Sequence, residues 1–276
     1  MDRALEKVFI TGATGLVGAR LIPRLIEAGY DCHALIRTPK DVPQGITPIT
    51  GDLFDMSSIK NKMLGVKTVI HLAAVFRSTD NDLIWKSNLE GTKNLIKITK
   101  EFAPTARFIL ASTAHVYDSS NSHPGREEDE VNPEHAYPAS KVAAEKLLRK
   151  SGLNWCVMRF PFVYGDGDGH LADLPKHVIP AKWHPAKRMS TIHHRDVFTA
   201  FKLALSGKLD GLTVNFSDEA PSTIYELIKL IGGKLELSSD PLNDPWHLHI
   251  DSSLARSLGF EAIVKTVYQA ANDGIL

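Results

Sequence analysis

The sequence of 276 residues has few cysteines and no excess of charge of either sign. Both cysteines, Cys32 and Cys156, lie in apolar segments typical of strands, which favours reduced core residues over a disulfide and favours a cytoplasmic location. Lys plus Arg and Asp plus Glu number 32 each. Because there is no net positive charge, neither nucleic acid nor an anionic membrane is favoured as a partner.

Long apolar runs are also missing, and none has the length that a bilayer requires. The residues up to Lys7 are polar and of mixed charge, unlike a signal peptide. The segment from Asp166 to Gly169 resembles the start of a calcium loop, but His177 stands where that loop needs a glutamate. The histidine pairs lack a matching third ligand, so no metal site is expected.

What the sequence does contain is an alternation of short apolar runs with amphipathic stretches over its first two-thirds. This pattern predicts buried parallel strands joined by helices. We expect strands at 7–11, 32–36, 68–72, 108–112 and 155–160, and helices at 16–28, 84–101 and 139–150. The predicted fold class is therefore α/β, with a Rossmann-type doubly wound parallel sheet that binds its ligand at the carboxyl ends of the strands.

The alternation of strand and helix patterns ends after Phe160, and prolines and glycines interrupt the sequence from there to Met189. We therefore predict a dinucleotide-binding core at 1–160 and a small C-terminal substrate lobe at 161–276, with elements at about 192–217 returning to the core. Helical patterns recur at 197–206, 223–231, 252–257 and 263–271.

A glycine-rich segment joins the first predicted strand to the first predicted helix, with glycines at Gly12, Gly15 and Gly18. Gly12 permits a tight turn, Gly15 lets the backbone approach a pyrophosphate, and Gly18 lets helix and strand pack closely. Exposed N–H groups and the helix dipole then favour phosphate. The spacing GxxGxxG differs from the GxGxxG fingerprint, but its position predicts a nicotinamide dinucleotide site rather than a glycine turn without a ligand.

Arg37 follows the second predicted strand, about twenty residues after the glycine loop. An acid at this place bonds the ribose 2′-hydroxyl of NAD, whereas an arginine accommodates the 2′-phosphate of NADP. No acid occurs between Ile36 and Asp41, and Lys40 offers a second cation for the same phosphate. These residues favour NADP over NAD, although a surface arginine that caps a strand end would give the same pattern.

Tyr137 and Lys141 are spaced i, i+4, which places both side chains on one face of a predicted helix. A phenol with an ordinary pKa is a poor proton donor at neutral pH, and a nearby ammonium lowers that pKa. Thr113 lies at the end of a predicted strand, where its hydroxyl can bond a substrate oxygen. Because all three would meet at the carboxyl edge of the sheet, we predict that they form the catalytic set. A Tyr–Lys pair by itself is more often a solvated helix face.

With these elements together, the chain resembles the extended short-chain dehydrogenase/reductase family of NAD(P)-dependent epimerases, dehydratases and reductases. The resemblance runs from residue 8 to about 260, and the joint order of its motifs makes it specific. The motifs are, in chain order, the glycine loop, Gly51–Leu53, His71–Ala74, Asn88–Asn94, Ser112 with Thr113, Tyr137–Lys141, Arg159 with Val163–Gly165, Arg195–Val197 and Asp251–Phe260.

The resemblance implies a role for each matching position. Tyr137 would be the acid/base, Lys141 would lower its pKa and bond the nicotinamide ribose, and Thr113 would stand in for the catalytic Ser or Thr. Asn88 would hold either the fourth strand or the cofactor side. The other cofactor contacts would come from the glycine loop at Thr14, Leu16 and Val17, the adenine side at Asp52 and Leu53, the cleft wall at Leu72, Ala73 and Ala74, the strand end at Ala111 and Ser112, and the nicotinamide side at Phe160, Pro161 and Val163.

The chain departs from the nucleotide-sugar members of that family in two respects. Those members carry an asparagine just before the Val-Tyr-Gly motif, where this chain has Phe162, and most have a longer C-terminal lobe. A smaller or more apolar carbonyl or alcohol is therefore favoured. Arg188 is either a phosphate ligand, which would keep a nucleotide sugar open, or a solvated loop cation. Phe76, His115 and His193 complete the substrate candidates, and packing explains Phe76 equally well.

The resulting expectation is an NADP-dependent oxidoreductase that moves hydride to or from a small carbonyl or alcohol substrate. One alternative is a nucleotide-sugar epimerase or dehydratase, which retains its cofactor through turnover. Another is a non-catalytic NADP-sensing protein, a class that can lose the tyrosine. In the family that the chain resembles, the helices corresponding to 84–101 and 139–150 commonly pair in a dimer, which implies a homodimer.

Overall fold

Strands and helices alternate along the residues that the computed structural model describes, 5–38 and 42–276. The strands are β1 Glu6–Thr11, β2 Tyr30–Ile36, β3 Thr47–Thr50, β4 Thr68–His71, β5 Arg107–Thr113, β6 Asn154–Phe160, β7 Phe162–Tyr164, β8 Arg188–Met189, β9 Thr191–His193, β10 Thr213–Asn215 and β11 Ser222–Thr223. The α-helices are α1 Gly18–Glu27, α2 Met56–Ile59, α3 Asn81–Trp85, α4 Gly91–Phe102, α5 Ala136–Arg149, α6 Leu174–Val178, α7 His194–Leu205, α8 Ile224–Leu230, α9 Ser253–Ser257 and α10 Val267–Asn272.

Seven strands form one sheet in the order β10-β6-β5-β4-β1-β2-β3. β1 pairs in parallel with β2 on one side and with β4 on the other, so that Ile10 lies opposite both Ala34 and Ile70. The strand order reverses between β1 and β4, which is where ligands bind in open sheets of this kind. The predicted fold class, a Rossmann-type parallel sheet with helices, is confirmed.

The first of two compact units contains the described residues up to Ser112, together with Pro133–Met158 and Ala204–Thr213. Its core is a cluster of buried apolar side chains from strands and helices, among them Phe9, Val69, Leu95, Phe108 and Val157. These strands read as continuous apolar runs because helices cover both faces of a parallel sheet. Cys32 and Cys156 are buried as free thiols, and burial raises the pKa of each to about 12.

The second unit consists of Thr113–Asn132, Arg159–Leu203 and Val214–Leu276 and has a core of its own. That core contains Tyr164, Met189, Leu227 and Val267. The predicted boundary at residue 160 stays a prediction. Within the described residues, no helix combines the length and the apolar character that crossing a membrane would take.

The structure differs from the expected elements in several places, of which the following bear on the site and the sheet. The predicted helix 84–101 is interrupted, because a π-helical turn at Lys86–Glu90 separates α3 from α4. The predicted helix 16–28 begins only at Gly18, and the residues before it form the glycine loop. β3 and β10 were not predicted: β3 is four residues long, mostly exposed and contains Pro48, so it lacks the apolar run of the inner strands.

Candidate active site

A cleft of about 560 Å³ lies in the first unit, next to the carboxyl ends of β1, β2 and β4. Segments that follow these strands and β3 line it, namely 11–15, 35–38, 51–54 and 72–75, together with Ser87. A volume of several hundred cubic ångströms is typical of a pocket for a cofactor or drug-sized ligand. The cleft therefore has both the place and the size that a dinucleotide-binding sheet requires.

Most of the predicted cofactor residues in the first unit line this cleft. They are Gly12, Thr14, Gly15, Arg37, Asp52, Leu53, Leu72, Ala73 and Ala74. Seven predicted residues of the same unit are not among its lining residues, namely Leu16, Val17, Asn88, Ala111, Ser112, Tyr137 and Lys141. The lining residues that sequence reasoning missed are Thr11, Ala13, Leu35, Ile36, Thr38, Gly51, Phe54, Val75 and Ser87, most of which adjoin the same strand ends.

The three glycines of the loop are required for different reasons. Gly12 has a φ of +77°, and a Cβ there would lie 2.6 Å from the backbone nitrogen of Ala73. A Cβ at Gly18 would lie 2.8 Å from the Cα of Ala13, so this glycine allows α1 to pack against the loop. A Cβ at Gly15 would approach only the Gly12 carbonyl oxygen, at 3.3 Å, and would stand in the cleft that Gly15 lines. Glycine at this position leaves the backbone open to close approach by a ligand such as a pyrophosphate.

The ribose end of the predicted site is formed by segments after β2 and β3. Arg37 and Thr38 line the cleft, whereas Lys40 and Asp41 lie outside the described residues. The Asp52 carboxylate accepts a hydrogen bond of 2.8 Å from the backbone N–H of Phe54, whose ring is 47% exposed at the cleft. This end thus offers a guanidinium and a hydroxyl to a ribose or to its phosphate.

Helix α5 carries the predicted acid/base pair, with Tyr137 in its first turn and Lys141 one turn later. Lys141 is buried, and burial lowers its pKa to about 8, although the Glu145 carboxylate opposes that shift. Glu145 is itself buried and accepts hydrogen bonds from the Ser112 hydroxyl at 2.5 Å and from Arg149 Nη2 at 2.9 Å. The Ser112 hydroxyl, a predicted cofactor contact, is therefore engaged within the protein.

Phe76, a predicted substrate residue, packs beside the tyrosine. The ring centroids of Phe76 and Tyr137 are 5.9 Å apart. Phe76 is 43% exposed, and the guanidinium of Arg77 lies 4.9 Å from its ring centroid. The surface next to Tyr137 therefore includes an exposed aromatic ring.

Asn88 holds the loop that follows β4. Its side-chain amide accepts a hydrogen bond from the Val75 N–H at 2.8 Å and donates to the Val75 carbonyl at 2.9 Å. It also donates to the Ser140 hydroxyl at 3.0 Å, and that hydroxyl donates to the Tyr137 carbonyl at 2.7 Å. Asn88 thereby ties the loop after β4 to the first turn of α5.

The remaining predicted residues belong to the second unit. Thr113 ends β5, and its hydroxyl oxygen accepts from the backbone N–H of His115 at 3.2 Å. The Phe162 ring stacks on His170 with centroids 4.2 Å apart. His193 is buried, its Nε2 donates to the Ile275 carbonyl, and its Nδ1 accepts from the Arg195 N–H, so both ring nitrogens of this substrate candidate are engaged within the protein. Arg188, in contrast, is exposed. The other predicted site residues in the second unit are Phe160, Pro161 and Val163.

Residues 8–208 match the NAD dependent epimerase/dehydratase family. The chain belongs to this family. With a parallel sheet and a dinucleotide cleft at its switch point, it is a nicotinamide-dependent oxidoreductase of the extended short-chain dehydrogenase/reductase type. The choice between NAD and NADP is not fixed by membership of the family.

Three similar proteins show how this family varies. A 3-beta-hydroxysteroid dehydrogenase of Mycolicibacterium neoaurum is 28% identical over 188 residues, which is 59% of this chain but only 49% of that protein. A 4-hydroxy-2-methyl-3-oxo-4-farnesyl-3,4-dihydroquinoline-1-oxide ketoreductase of Stigmatella aurantiaca is 27% identical, over 91% of this chain and 81% of its own length. The structure of Thermus thermophilus UDP-glucose 4-epimerase in complex with NAD has a TM-score of 0.76 at 22% identity, covering 96% and 98% of the two chains, and supports the fold alone.

Proposed function

We propose that this family member is an NADP-dependent oxidoreductase that interconverts a small carbonyl compound and its alcohol. Thr113, Tyr137 and Lys141 form its catalytic set. The observation that carries the proposal is the buried Lys141, which lies one helical turn after Tyr137 in the same unit as the cleft with the glycine loop, and whose positive charge the Glu145 carboxylate favours. A buried ammonium on the same helix face as a phenol is suited to stabilise the phenolate.

In the direction of reduction, a carbonyl gains a hydride and a proton and becomes an alcohol. The bound nicotinamide supplies the hydride. Tyr137 donates the proton to the substrate oxygen, and the positive charge of Lys141 stabilises the phenolate that remains. Thr113 donates a hydrogen bond to the same oxygen. In the direction of oxidation, the phenolate takes the proton back, and an oxidised nicotinamide cofactor would accept the hydride.

Aromatic side chains support a substrate that is at least partly apolar. Phe76 exposes its ring beside Tyr137, and Phe162 replaces the asparagine of nucleotide-sugar enzymes and stacks on His170. The relative from Stigmatella aurantiaca is a ketoreductase named for a farnesylated dihydroquinoline-1-oxide, and the apolar farnesyl group agrees with this substrate class. A homodimer is part of the same proposal, supported by the exposed Leu83 and Trp85 of α3.

A nucleotide-sugar epimerase is the second candidate, because the chain shares its fold with an NAD-bound UDP-glucose 4-epimerase over nearly all of both chains. A screen of carbonyl compounds, followed by NADPH absorbance, separates the two. We expect net consumption of NADPH with one class of carbonyl compound and no conversion of UDP-glucose. Conversion of UDP-glucose without net change in the cofactor would favour the epimerase, and NADPH binding with no turnover would favour the sensor.

The NADP preference predicts a specific effect of Arg37→Ala. Loss of a charge-assisted contact to the 2′-phosphate should weaken NADPH binding about tenfold or more, whereas NADH, which lacks that phosphate, should bind within about twofold of wild type. Fluorescence titration of both cofactors measures this. Arg24→Ala, on the last turn of α1 and not among the cleft-lining residues, is the matched control. Equal affinities of the wild type for NADPH and NADH would contradict the preference.

A further inference from the structure

A chain of buried hydrogen bonds runs through the first unit behind the cleft. Thr11 Oγ1 lies 2.6 Å from His71 Nδ1, and His71 Nε2 lies 2.9 Å from Thr92 Oγ1. Thr92 Oγ1 in turn donates to the backbone carbonyl of Asn88 at 2.6 Å. All four residues are buried, and the contact between Thr11 and His71 joins positions 60 residues apart in the sequence.

The direction of every bond in this chain follows from the number of protons available. A hydroxyl has one proton, and Thr92 gives its proton to the Asn88 carbonyl, which can only accept. Thr92 therefore accepts from His71 Nε2–H, and a neutral imidazole then has a bare Nδ1. That nitrogen accepts the proton of the Thr11 hydroxyl, whose oxygen accepts from the Ala73 N–H at 3.3 Å.

The imidazole is neutral for two reasons. It is completely buried, and the ammonium of Lys141 adds a repulsive charge, so that the pKa of His71 falls to about 3. A protonated ring would donate from Nδ1 as well as from Nε2, and the Thr11 hydroxyl would then lose Nδ1 as the acceptor of its proton. The neutral tautomer with its proton on Nε2 therefore gives both ring nitrogens and both threonine hydroxyls a hydrogen-bond partner.

The two ends of this hydrogen-bond chain belong to the candidate active site. Thr11 and Ala73 both line the cleft, and the backbone of Ala73 leaves no room for a Cβ at Gly12. At the other end, Asn88 lies in the π-helical turn and reaches Val75 and Ser140, and Ser140 bonds the Tyr137 carbonyl. Consecutive contacts thus connect the base of the glycine loop to the helix that carries Tyr137 and Lys141.

We propose that His71 is a positioning residue of the cofactor cleft. Its neutral Nε2–H tautomer fixes the Thr11 hydroxyl and the Ala73 N–H. Through Thr92 and Asn88 it also holds these cleft walls in place relative to α5. Breaking the chain at Thr92 leaves Nε2–H without an acceptor, so the proton moves to Nδ1 and Thr11 loses the acceptor of its own proton. The cleft walls then rearrange. The inference rests on the proposed dinucleotide cofactor but not on the catalytic set.

The test is a matched set of threonine variants with NADPH affinity as the readout. Thr92→Val keeps the shape and removes the hydroxyl, and we expect it to raise the Kd of NADPH about tenfold. Thr92→Ser restores the hydroxyl and should return the Kd to within about twofold of wild type. Thr99→Val is the control, because Thr99 is buried on the same helix and its hydroxyl donates to the carbonyl of Leu95, as that of Thr92 donates to Asn88. Among the described residues, the Thr99 hydroxyl has no hydrogen bond to Thr11, His71, Thr92 or Asn88.

The outcomes separate a positioning role from a general loss of packing. Equal affinities of Thr92→Val and Thr99→Val would overturn the proposal, as would a Thr92→Ser protein that binds as weakly as Thr92→Val. If Thr92→Val does not fold, the tautomer of His71 in the wild-type protein tests the proposal instead. Nitrogen-15 NMR of histidine-labelled protein, assigned with His71→Gln, should show Nε2–H and no titration of this ring between pH 5 and 8. A ring protonated at Nδ1 would also overturn it, and a failure of turnover alone would count only against the proposed function.

Discussion

Replacing Tyr137 with phenylalanine should lower kcat by about 10³-fold, within the range that acid–base catalysis contributes, while NADPH still binds. The phenylalanine keeps the ring that packs 5.9 Å from Phe76 and removes only the hydroxyl. The backbone contacts of Tyr137 also remain, because its carbonyl accepts the bond from Ser140. Turnover with a carbonyl compound identified in the substrate screen, followed by NADPH absorbance, measures kcat, and fluorescence titration measures the Kd of NADPH.

The matched control for this variant is Tyr268→Phe, since Tyr268 is 47% exposed and lies on α10 in the second unit. It should turn over at the wild-type rate. A Tyr137→Phe enzyme with undiminished kcat would refute the proposed proton transfer. A variant that loses NADPH binding as well as turnover would show that the hydroxyl serves the cofactor and not the proton.

Predicting the fold from the sequence succeeded where the signal is local. The apolar runs of β1, β2, β4, β5 and β6 are buried on both faces, and each was found to within two residues at either end. The glycine loop was found for the same reason, because its spacing and its place between strand and helix are both read along the chain. β3 was not predicted because it is an edge strand that is mostly exposed and contains a proline, so it has no apolar pattern.

What the sequence could not give are contacts that depend on pairing across long separations. The motif that contains His71 was recognised, but the histidine itself received no role, because its partners Thr11 and Thr92 lie 60 and 21 residues away. The π-helical turn at Lys86–Glu90 was likewise not predicted, because one extra residue hardly changes the periodicity of an otherwise regular amphipathic stretch. Ser112 was assigned to the cofactor, and its bond to Glu145 could only be seen once β5 and α5 had been placed.

Lys141→Met should lower kcat about 10²-fold and should also change how rate and stability depend on pH. Methionine fills much of the volume of the lysine side chain without its charge. Glu145 keeps its hydrogen bonds to Ser112 and Arg149, so its carboxylate is not left without donors when the ammonium is removed. We therefore expect a folded protein whose Tyr137 phenolate has lost the positive charge that we propose stabilises it.

The pKa of Lys141 sets the pH range of both effects. With a pKa of about 8, the ammonium loses its proton as the pH rises through 8, so wild-type kcat for reduction should fall above that pH. In the unfolded chain the ordinary pKa is 10.5, so between about pH 8 and 10.5 the unfolded state binds more protons than the folded state. The free energy of unfolding of the wild type therefore gains a contribution that increases with pH over this window.

Lys141→Met should lack both the fall in kcat above pH 8 and this pH-dependent gain in stability. Lys146→Met is the matched control, because Lys146 lies on the same helix but is exposed, and it should follow the wild type in both measurements. Denaturant unfolding and kcat, each measured from pH 7 to 10, provide the comparison. Identical pH profiles for the wild type and Lys141→Met would mean that the Lys141 ammonium does not titrate near 8. A Lys141→Met enzyme with the kcat of the wild type would refute the proposed support of Tyr137 by Lys141.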